Sequence, residues 1–294
     1  MTYVLTGTTG NLGSQVLKAL LKLVPPSEII VSLYNTSSEA ATHLQSLGVI
    51  IRHGDYKNPD SLKQAFSGGK KLLLVSSPSI QDLERFNQHR TAIDAAIAVG
   101  IQHIYYTSLA FSSDSVTAVM KAHLRTEAYL KDSGVNYTSI REGIYSESVH
   151  MYLGFFDPTF PDEETVIKVP VDGKIAWVSR PDLGAGTAKL LTSDDFSNKI
   201  VRLSGDKAYS VSETAALLEK VVGKKVRVEI VSFDEYIARL GKGKFGPEFA
   251  RLWATTYNGL ERGEAATVDP LLQELIGPLT PLEDVLRSIF PKKK

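Results

Sequence analysis

Residues 3–15 read "YVLTGTTGNLGSQ", a short apolar run followed by glycines at positions 7, 10 and 13. A strand that ends in a glycine turn and opens a helix aims unpaired backbone N–H groups, and the positive end of the helix dipole, at whatever lies above the sheet. Gly7 permits the tight turn, Gly10 lets a pyrophosphate approach the backbone, and Gly13 lets the helix lie close to the strand. Thr8, Thr9, Asn11 and Leu12 complete the turn, and the two threonines and the asparagine can bond phosphate through their side chains. The stretch predicts dinucleotide binding rather than a bare turn.

Further along, short β-branched runs alternate with segments of helical period. The strand-like runs are 3–7, 28–34, 48–53, 71–77, 102–108 and 135–140, and the helix-like ones 11–23, about 37–47, 59–67, 82–99 and 118–132. Continuously apolar strands separated by helices predict a parallel sheet covered on both faces. The fold class expected is α/β: a Rossmann-type doubly wound parallel sheet with a smaller mixed α/β C-terminal lobe. The rhythm loosens after about residue 141, where Gly, Pro and aromatics cluster in "YLGFFDPTFPDEE". Residues 1–141 are assigned to the NAD(P)-binding domain and 142–294 to a substrate-binding lobe, interleaved so that 180–203 can return to the main domain. In the lobe, "KIAWVS", "KIVRLSG" and "KVRVEIV" read as strands, and 211–222, 233–240 and 247–261 as helices.

The 294 residues include 33 basic and 33 acidic side chains, so net charge offers nothing to nucleic acid, and the terminal "PKKK" reads as a solvated tail. The absence of cysteine excludes disulfides, thiol catalysis and thiolate metal sites, and no metal site is expected. A first strand starting at residue 2 or 3 leaves no room for a targeting peptide, and no apolar run is of membrane-spanning length. A cytoplasmic protein is expected, with no membrane or nucleic-acid partner and with a homodimer left open.

At the second strand's end, "SLYNTSSE" places Tyr34, Asn35, Thr36, Ser37 and Ser38 where an NAD enzyme has an acid for the ribose hydroxyls. Hydroxyl and amide donors without an acid tolerate a 2′-phosphate. The cofactor expected is NADPH, with NADH still allowed, and "NTSSE" also reads as a helix cap. Asp55 and Tyr56 follow the third strand, Ser76, Ser77 and Pro78 the fourth, and Thr107, Ser108 and Leu109 end the fifth. These are carboxyl-end positions, where such sheets bind ligands.

"LTGTTGNLGSQV", "GDYKNPDSLKQAF", "KLLLVSS", "QHRTAIDAAIAVGIQHIYYTSL", "HLRTEAYLKDSGVNYTSIREGIYSE" and "GDKAYSVSETAALLEKVVGKKV" together resemble the NmrA-like group of atypical short-chain dehydrogenases/reductases. The resemblance is greatest to the NADPH-dependent quinone oxidoreductase type 2 subgroup and runs in order over nearly the whole chain. It implies NADP(H) held between a Rossmann domain and a small C-terminal lobe, with Gly143 and Ile144 near the cofactor and Tyr145 beside the nicotinamide. In that subgroup the second strand usually ends in an arginine that holds the 2′-phosphate, where this chain has Tyr34.

The Tyr-x-x-x-Lys pair of ordinary short-chain dehydrogenases is absent: in "SVTAVMKAHLRTEAYL", Thr117 stands four residues before Lys121. His123 matches the subgroup's histidine. Lys121 and His123 lie about 200° apart around a helix, so one of them at most faces the cofactor. Hydride delivery to an isolated ketone makes a strongly basic alkoxide that needs a proton donor, whereas a reduced quinone is a delocalised anion that solvent can protonate. The expectation is hydride transfer to a quinone or related conjugated aromatic carbonyl. Tyr145, Tyr152, Phe155, Phe156, Trp177 and Trp253 are candidates for a flat aromatic slot, with packing of the lobe's core as the alternative. The competing readings are a reductase of a specialised biosynthetic substrate, polyketide-like or imine, and a non-catalytic NADP-binding redox sensor.

Overall fold

The computed structural model describes residues 1–160 and 162–290; the terminal "PKKK" lies outside the described residues. In chain order the elements are β1 (Tyr3–Leu5), α1 (Asn11–Leu20), β2 (Ile29–Leu33), α2 (Glu39–Ser46), β3 (Ile50–His53), α3 (Pro59–Phe66), β4 (Lys71–Leu74), α4 (Asp82–Ala98), β5 (His103–Leu109), α5 (Lys121–Asp132) and β6 (Asn136–Glu142). There follow α6 (Val149–Tyr152), β7 (Glu164–Val169), β8 (Lys174–Ile175), α7 (Arg180–Leu191), β9 (Lys199–Leu203), β10 (Tyr209–Ser210), α8 (Val211–Val222), β11 (Lys225–Ile230), α9 (Phe233–Gly241), α10 (Gly246–Glu261), α11 (Leu271–Ile276) and α12 (Leu282–Ile289).

The chain divides into two compact units. The first comprises Met1–Leu109, Lys121–Glu142 and Pro181–Leu203. Its seven strands form one sheet in the order β3-β2-β1-β4-β5-β6-β9, and every neighbouring pair is parallel. Central strands β1, β2 and β4 are buried along their whole length, which is why they are apolar without alternation. On one face, α3, α4 and α5 pack side by side over Val4, Ile30, Leu72, Leu74, Ile104 and Tyr106. Tyr105 points to the other face, where its hydroxyl donates to the Ser193 carbonyl just past α7 (2.9 Å). The doubly wound Rossmann architecture expected from the sequence is the one present.

The second unit comprises Ala110–Met120, Gly143–Arg180 and Ser204–Lys294. β7 and β11 pair in parallel over six residues, from Glu164↔Lys225 to Val169↔Ile230, and α8 packs on β11. Ser210 and Glu213 form a capping box that starts α8, and Gly223 in the left-handed region (φ 73°) ends it. The sequence reading missed β7 because Gly, Pro and aromatics crowd the residues before it. It extended "KIAWVS" too far, since only Lys174–Ile175 is strand. It also missed α11 and α12, which are short helices following Pro270 and Pro281. Among the described residues, no helix is long and apolar enough to cross a membrane.

Candidate cofactor and substrate site

In the first unit the glycine turn is a cradle closed to side chains at Gly7 and Gly13. Gly7 has φ +66°, and a Cβ there would lie 2.8 Å from that of Val75. A Cβ on Gly13 would come within 2.2 Å of the Gly7 carbonyl oxygen, so α1 can sit this close to β1 only with glycine at that position. Gly10 is the N-cap of α1, with no side chain capping the helix and no acid in its first turn. The Thr8 hydroxyl is buried and has no hydrogen-bond partner among the described residues. A bare helix N-terminus, a backbone open to close approach and an unpaired hydroxyl fit a dinucleotide pyrophosphate.

At the β2 tip, Ser38 accepts from Ala41 N–H to cap α2, and Asn35 Oδ1 accepts from Ser37 N–H. The Asn35 amide NH₂ and the Thr36 and Ser37 hydroxyls remain as outward donors. Tyr34 is 74% exposed. The imidazole of His53, at the β3 tip, reaches the Tyr34 carbonyl through Nδ1 (2.9 Å). Asp55 closes a turn by accepting from Lys57 N–H (2.8 Å), and Tyr56 packs against the apolar core under α3 and α4.

The β4 and β5 tips are tied together, since Ser76 N–H donates to Thr107 Oγ1 (2.9 Å). The Ser77 hydroxyl donates to Gln88, and Pro78 follows it. Ser108 turns its hydroxyl inward to Glu127 Oε1 (2.7 Å), away from any ligand above the strand. Glu127 is itself in a buried two-pronged ion pair with Arg141 (3.0 and 2.7 Å) and accepts from Ser139 (3.0 Å). Two of the sequence candidates separate sharply: Lys121 is the exposed first residue of α5, whereas His123 is 4% exposed and its Nδ1 lies 2.8 Å from the Tyr106 hydroxyl. His89 of α4 joins the same cluster. Its Nε2 faces Ser77 N–H (2.9 Å) and the Ser76 hydroxyl (3.2 Å), and its Nδ1 faces Thr126 Oγ1 (2.9 Å). Burial lowers the pKa of His89 to about 3, with help from the Arg85 charge, and holds His123 well below the usual histidine range for the same two reasons. Both imidazoles are neutral.

Glu142, at the β6 tip, is buried and accepts one hydrogen bond, from the Thr187 hydroxyl (2.9 Å). Burial pushes its carboxyl from 4.5 up to about 8, against the lowering effect of Thr187. From pH 4.5 upward the unfolded chain loses this proton while the folded chain keeps it, so stability drains with rising pH until the folded group titrates near 8. Each pKa unit is worth about 1.4 kcal/mol. Glu142→Gln is therefore expected to match the parent near pH 4.5 and to melt several degrees higher at pH 8, by roughly 2–4 kcal/mol, as thermal unfolding across pH will measure.

In the second unit, Gly143 and Ile144 lead into Tyr145, and the Ile144 carbonyl accepts from Val178 N–H (3.1 Å). Tyr145 is half-buried, with the Arg180 guanidinium over its ring at 4.9 Å. Of the six candidates for an aromatic slot, several take the alternative role of packing the lobe's core. Tyr152 and Trp177 pack edge-to-face in the interior (5.6 Å), and Phe156 packs with Phe160 and Phe290. The accessible aromatic surface is built differently. Phe245, just before α10, and Phe249 on it stack (4.8 Å) against the buried Trp253 (5.9 Å), and Phe155 meets all three at 5.0, 6.0 and 5.3 Å. Phe155 takes φ +54°, uncommon for a bulky residue. The signal for Phe245 and Phe249 was present in their four-residue spacing with Trp253.

Over 287 residues the chain is 34% identical to quinone oxidoreductase 2 of Escherichia coli, covering 97% of this chain and 98% of that protein. It is 33% identical to the NmrA-like family domain-containing oxidoreductase flvB of Aspergillus flavus, over 100% of this chain and 96% of that one. Among solved structures, the Citrobacter sp. triphenylmethane reductase complexed with NADP(H) superimposes with a TM-score of 0.87 at 34% identity, covering 98% of this chain and all of the other. The E. coli NADPH-dependent quinone oxidoreductase complexed with NADPH gives 0.87 at 33% identity, with the same coverage. The NmrA-like family model matches residues 2–254, and the chain belongs to that family.

Proposed function

We propose that the protein is an NADPH-dependent oxidoreductase that delivers hydride to quinones or related conjugated aromatic carbonyls. The observation that carries this reading is a phosphate cradle on the same unit as a neutral, hydrogen-bonded histidine cluster that contains no Tyr-x-x-x-Lys acid. NADPH would lie with its pyrophosphate on Gly7–Gly13 and its 2′-phosphate by Asn35, Thr36 and Ser37, with Ser76, Ser77, Thr107 and His123 toward the nicotinamide. When bound it supplies the hydride. The chain's own residues position the acceptor and the cofactor, and orientation carries most of the rate. Tyr145, steadied by Arg180, and the Phe155–Phe245–Phe249 surface would offer aromatic faces to a planar substrate. The absence of cysteine fits a reducing cytoplasm.

A second acceptor class is favoured by the same missing acid. A triarylmethane cation becomes a neutral product on taking up hydride and needs no proton. NADPH oxidation followed with quinones, aryl ketones, imines and triarylmethane dyes tests both classes: turnover of quinones above simple ketones supports the first, and tight NADP⁺ binding with no acceptor reduced would leave only a sensor. Fluorescence titration is expected to show NADPH binding several-fold more tightly than NADH, because the β2 tip offers donors and no carboxylate. Equal affinities would remove the basis for the preference.

A further inference from the structure

The hydrogen-bond chain around His123 fixes where its proton sits. Nε2 of His89 faces two donors, the Ser77 backbone N–H at 2.9 Å and the Ser76 hydroxyl at 3.2 Å, and so carries no hydrogen. The proton of His89 is therefore on Nδ1. It points to Thr126 Oγ1 (2.9 Å), whose own hydrogen goes to the Ala122 carbonyl (2.7 Å). The Tyr106 hydroxyl lies 3.4 Å from this protonated Nδ1 and 2.8 Å from Nδ1 of His123; the Ser76 and Thr126 hydroxyls beside it have their hydrogens on His89 Nε2 and the Ala122 carbonyl, so its shortest contact, to His123, takes its hydrogen. A backbone amide, which cannot change its role, sets the direction of the whole chain.

We infer that Tyr106, oriented by His89, is a positioning residue that holds His123 as the neutral Nε2–H tautomer, making His123 a hydrogen-bond donor to the oxygen of the acceptor rather than a general acid. The inference rests on the reductase reading above for its acceptor, and on geometry alone for its tautomer. Tyr106 is the only hydrogen-bond partner of His123 among the described residues, so Nε2 is not consumed within the protein. The charged or titratable neighbours of His123 are Arg85, His89 and Arg141, and each disfavours a second proton on the ring. Burial holds the Tyr106 proton far above neutrality, which prevents a relay that would leave a tyrosinate behind. The chemistry balances without one. Hydride transfer adds two electrons and one proton to a quinone and oxidises the nicotinamide; the hydroquinone anion accepts a hydrogen bond from His123 Nε2–H, and water supplies the remaining proton.

Nitrogen-15 NMR of the full chain labelled at its six histidines reads the tautomer directly, with His123→Gln identifying the resonance. The expected result is a hydrogen-bearing Nε2 and a bare Nδ1 at His123, unchanged between pH 6 and 8. A proton on Nδ1, or an imidazolium in that range, overturns the inference. Kinetics give the second reading. Tyr106→Phe is expected to lower kcat for quinone reduction about fivefold to tenfold and to mix the His123 tautomers, while the titrated Kd for NADPH stays within about twofold. His123→Gln, which keeps an N–H near the position of Nε2, is expected to retain most of the activity that His123→Ala loses. A glutamine variant as inactive as the alanine one, or Tyr106→Phe with unchanged tautomer and kcat, sinks the proposal. If the parent protein reduces no acceptor, the quinone reading fails, and the NMR result still decides the tautomer.

Discussion

Gly13→Val is expected to abolish NADPH binding, lowering affinity at least about a hundredfold in a fluorescence titration. Even the first carbon of the new side chain would stand 2.2 Å from the Gly7 oxygen and 2.7 Å from its carbonyl carbon. Neither backbone atom can rotate away, so α1 must lift from β1 and take with it the N–H groups that would face the pyrophosphate. Gly10→Ala provides the contrast, since its Cβ would lie 3.2 Å from the same oxygen and needs only a small adjustment. Circular dichroism on the valine variant separates lost affinity from lost folding. Binding of NADPH by a folded Gly13→Val protein would show that the cradle is not where the cofactor lies.

Glu127→Ala is expected to cost about 3–5 kcal/mol of stability, read as a fall in thermal or denaturant midpoint. The carboxylate is 6% exposed and satisfies both prongs of Arg141, itself 6% exposed, along with the hydroxyls of Ser108 and Ser139. Removing it takes from the buried guanidinium the carboxylate that balances its charge. Replacing both partners by methionine is expected to recover much of the loss, because the penalty comes from the orphaned charge more than from the pair itself. A midpoint change below about 1 kcal/mol for the alanine variant would mean that Arg141 finds another partner.

The sheet was legible because β1, β2 and β4 are local apolar runs, the other strands are short β-branched or aromatic stretches, and helical segments lie between them, so no long-range information was required. The glycine turn was legible for the same reason: strand, turn and helix are contiguous. His123 came from resemblance and not from pattern. Its companions could not be read at all, because His89, Tyr106 and His123 lie on α4, β5 and α5, and only folding sets their imidazoles and hydroxyl in line. His53 was invisible likewise, since its link to the Tyr34 carbonyl depends on β3 lying beside β2. For the aromatic candidates the sequence left two roles open, a ligand wall and packing of the lobe's core. Tyr152, Phe156, Trp177 and Trp253 satisfy the apolar demand of the second unit's interior, leaving the accessible faces to Phe155, Phe245 and Phe249.

The ammonium of Lys71 has an unusual position, 4% exposed at the start of β4, and its ligands are the carbonyls of Leu191 (2.9 Å) and Ser193 (3.3 Å) and the carboxylate of Asp194 (2.8 Å). These partners lie about 120 residues downstream. During synthesis, therefore, the centre of the sheet carries a cation that cannot be buried until the chain has passed through two segments of a different compact body and come back. β9 is delayed in the same way, since β6 ends at Glu142 and its partner strand begins at Lys199. Closure of the nucleotide-binding unit is thus a late, non-local event on the ribosome, slowed by the long loop it must close. A nascent chain halted before residue 190 holds every glycine of the cradle and still lacks the groups that let its central strand go dry.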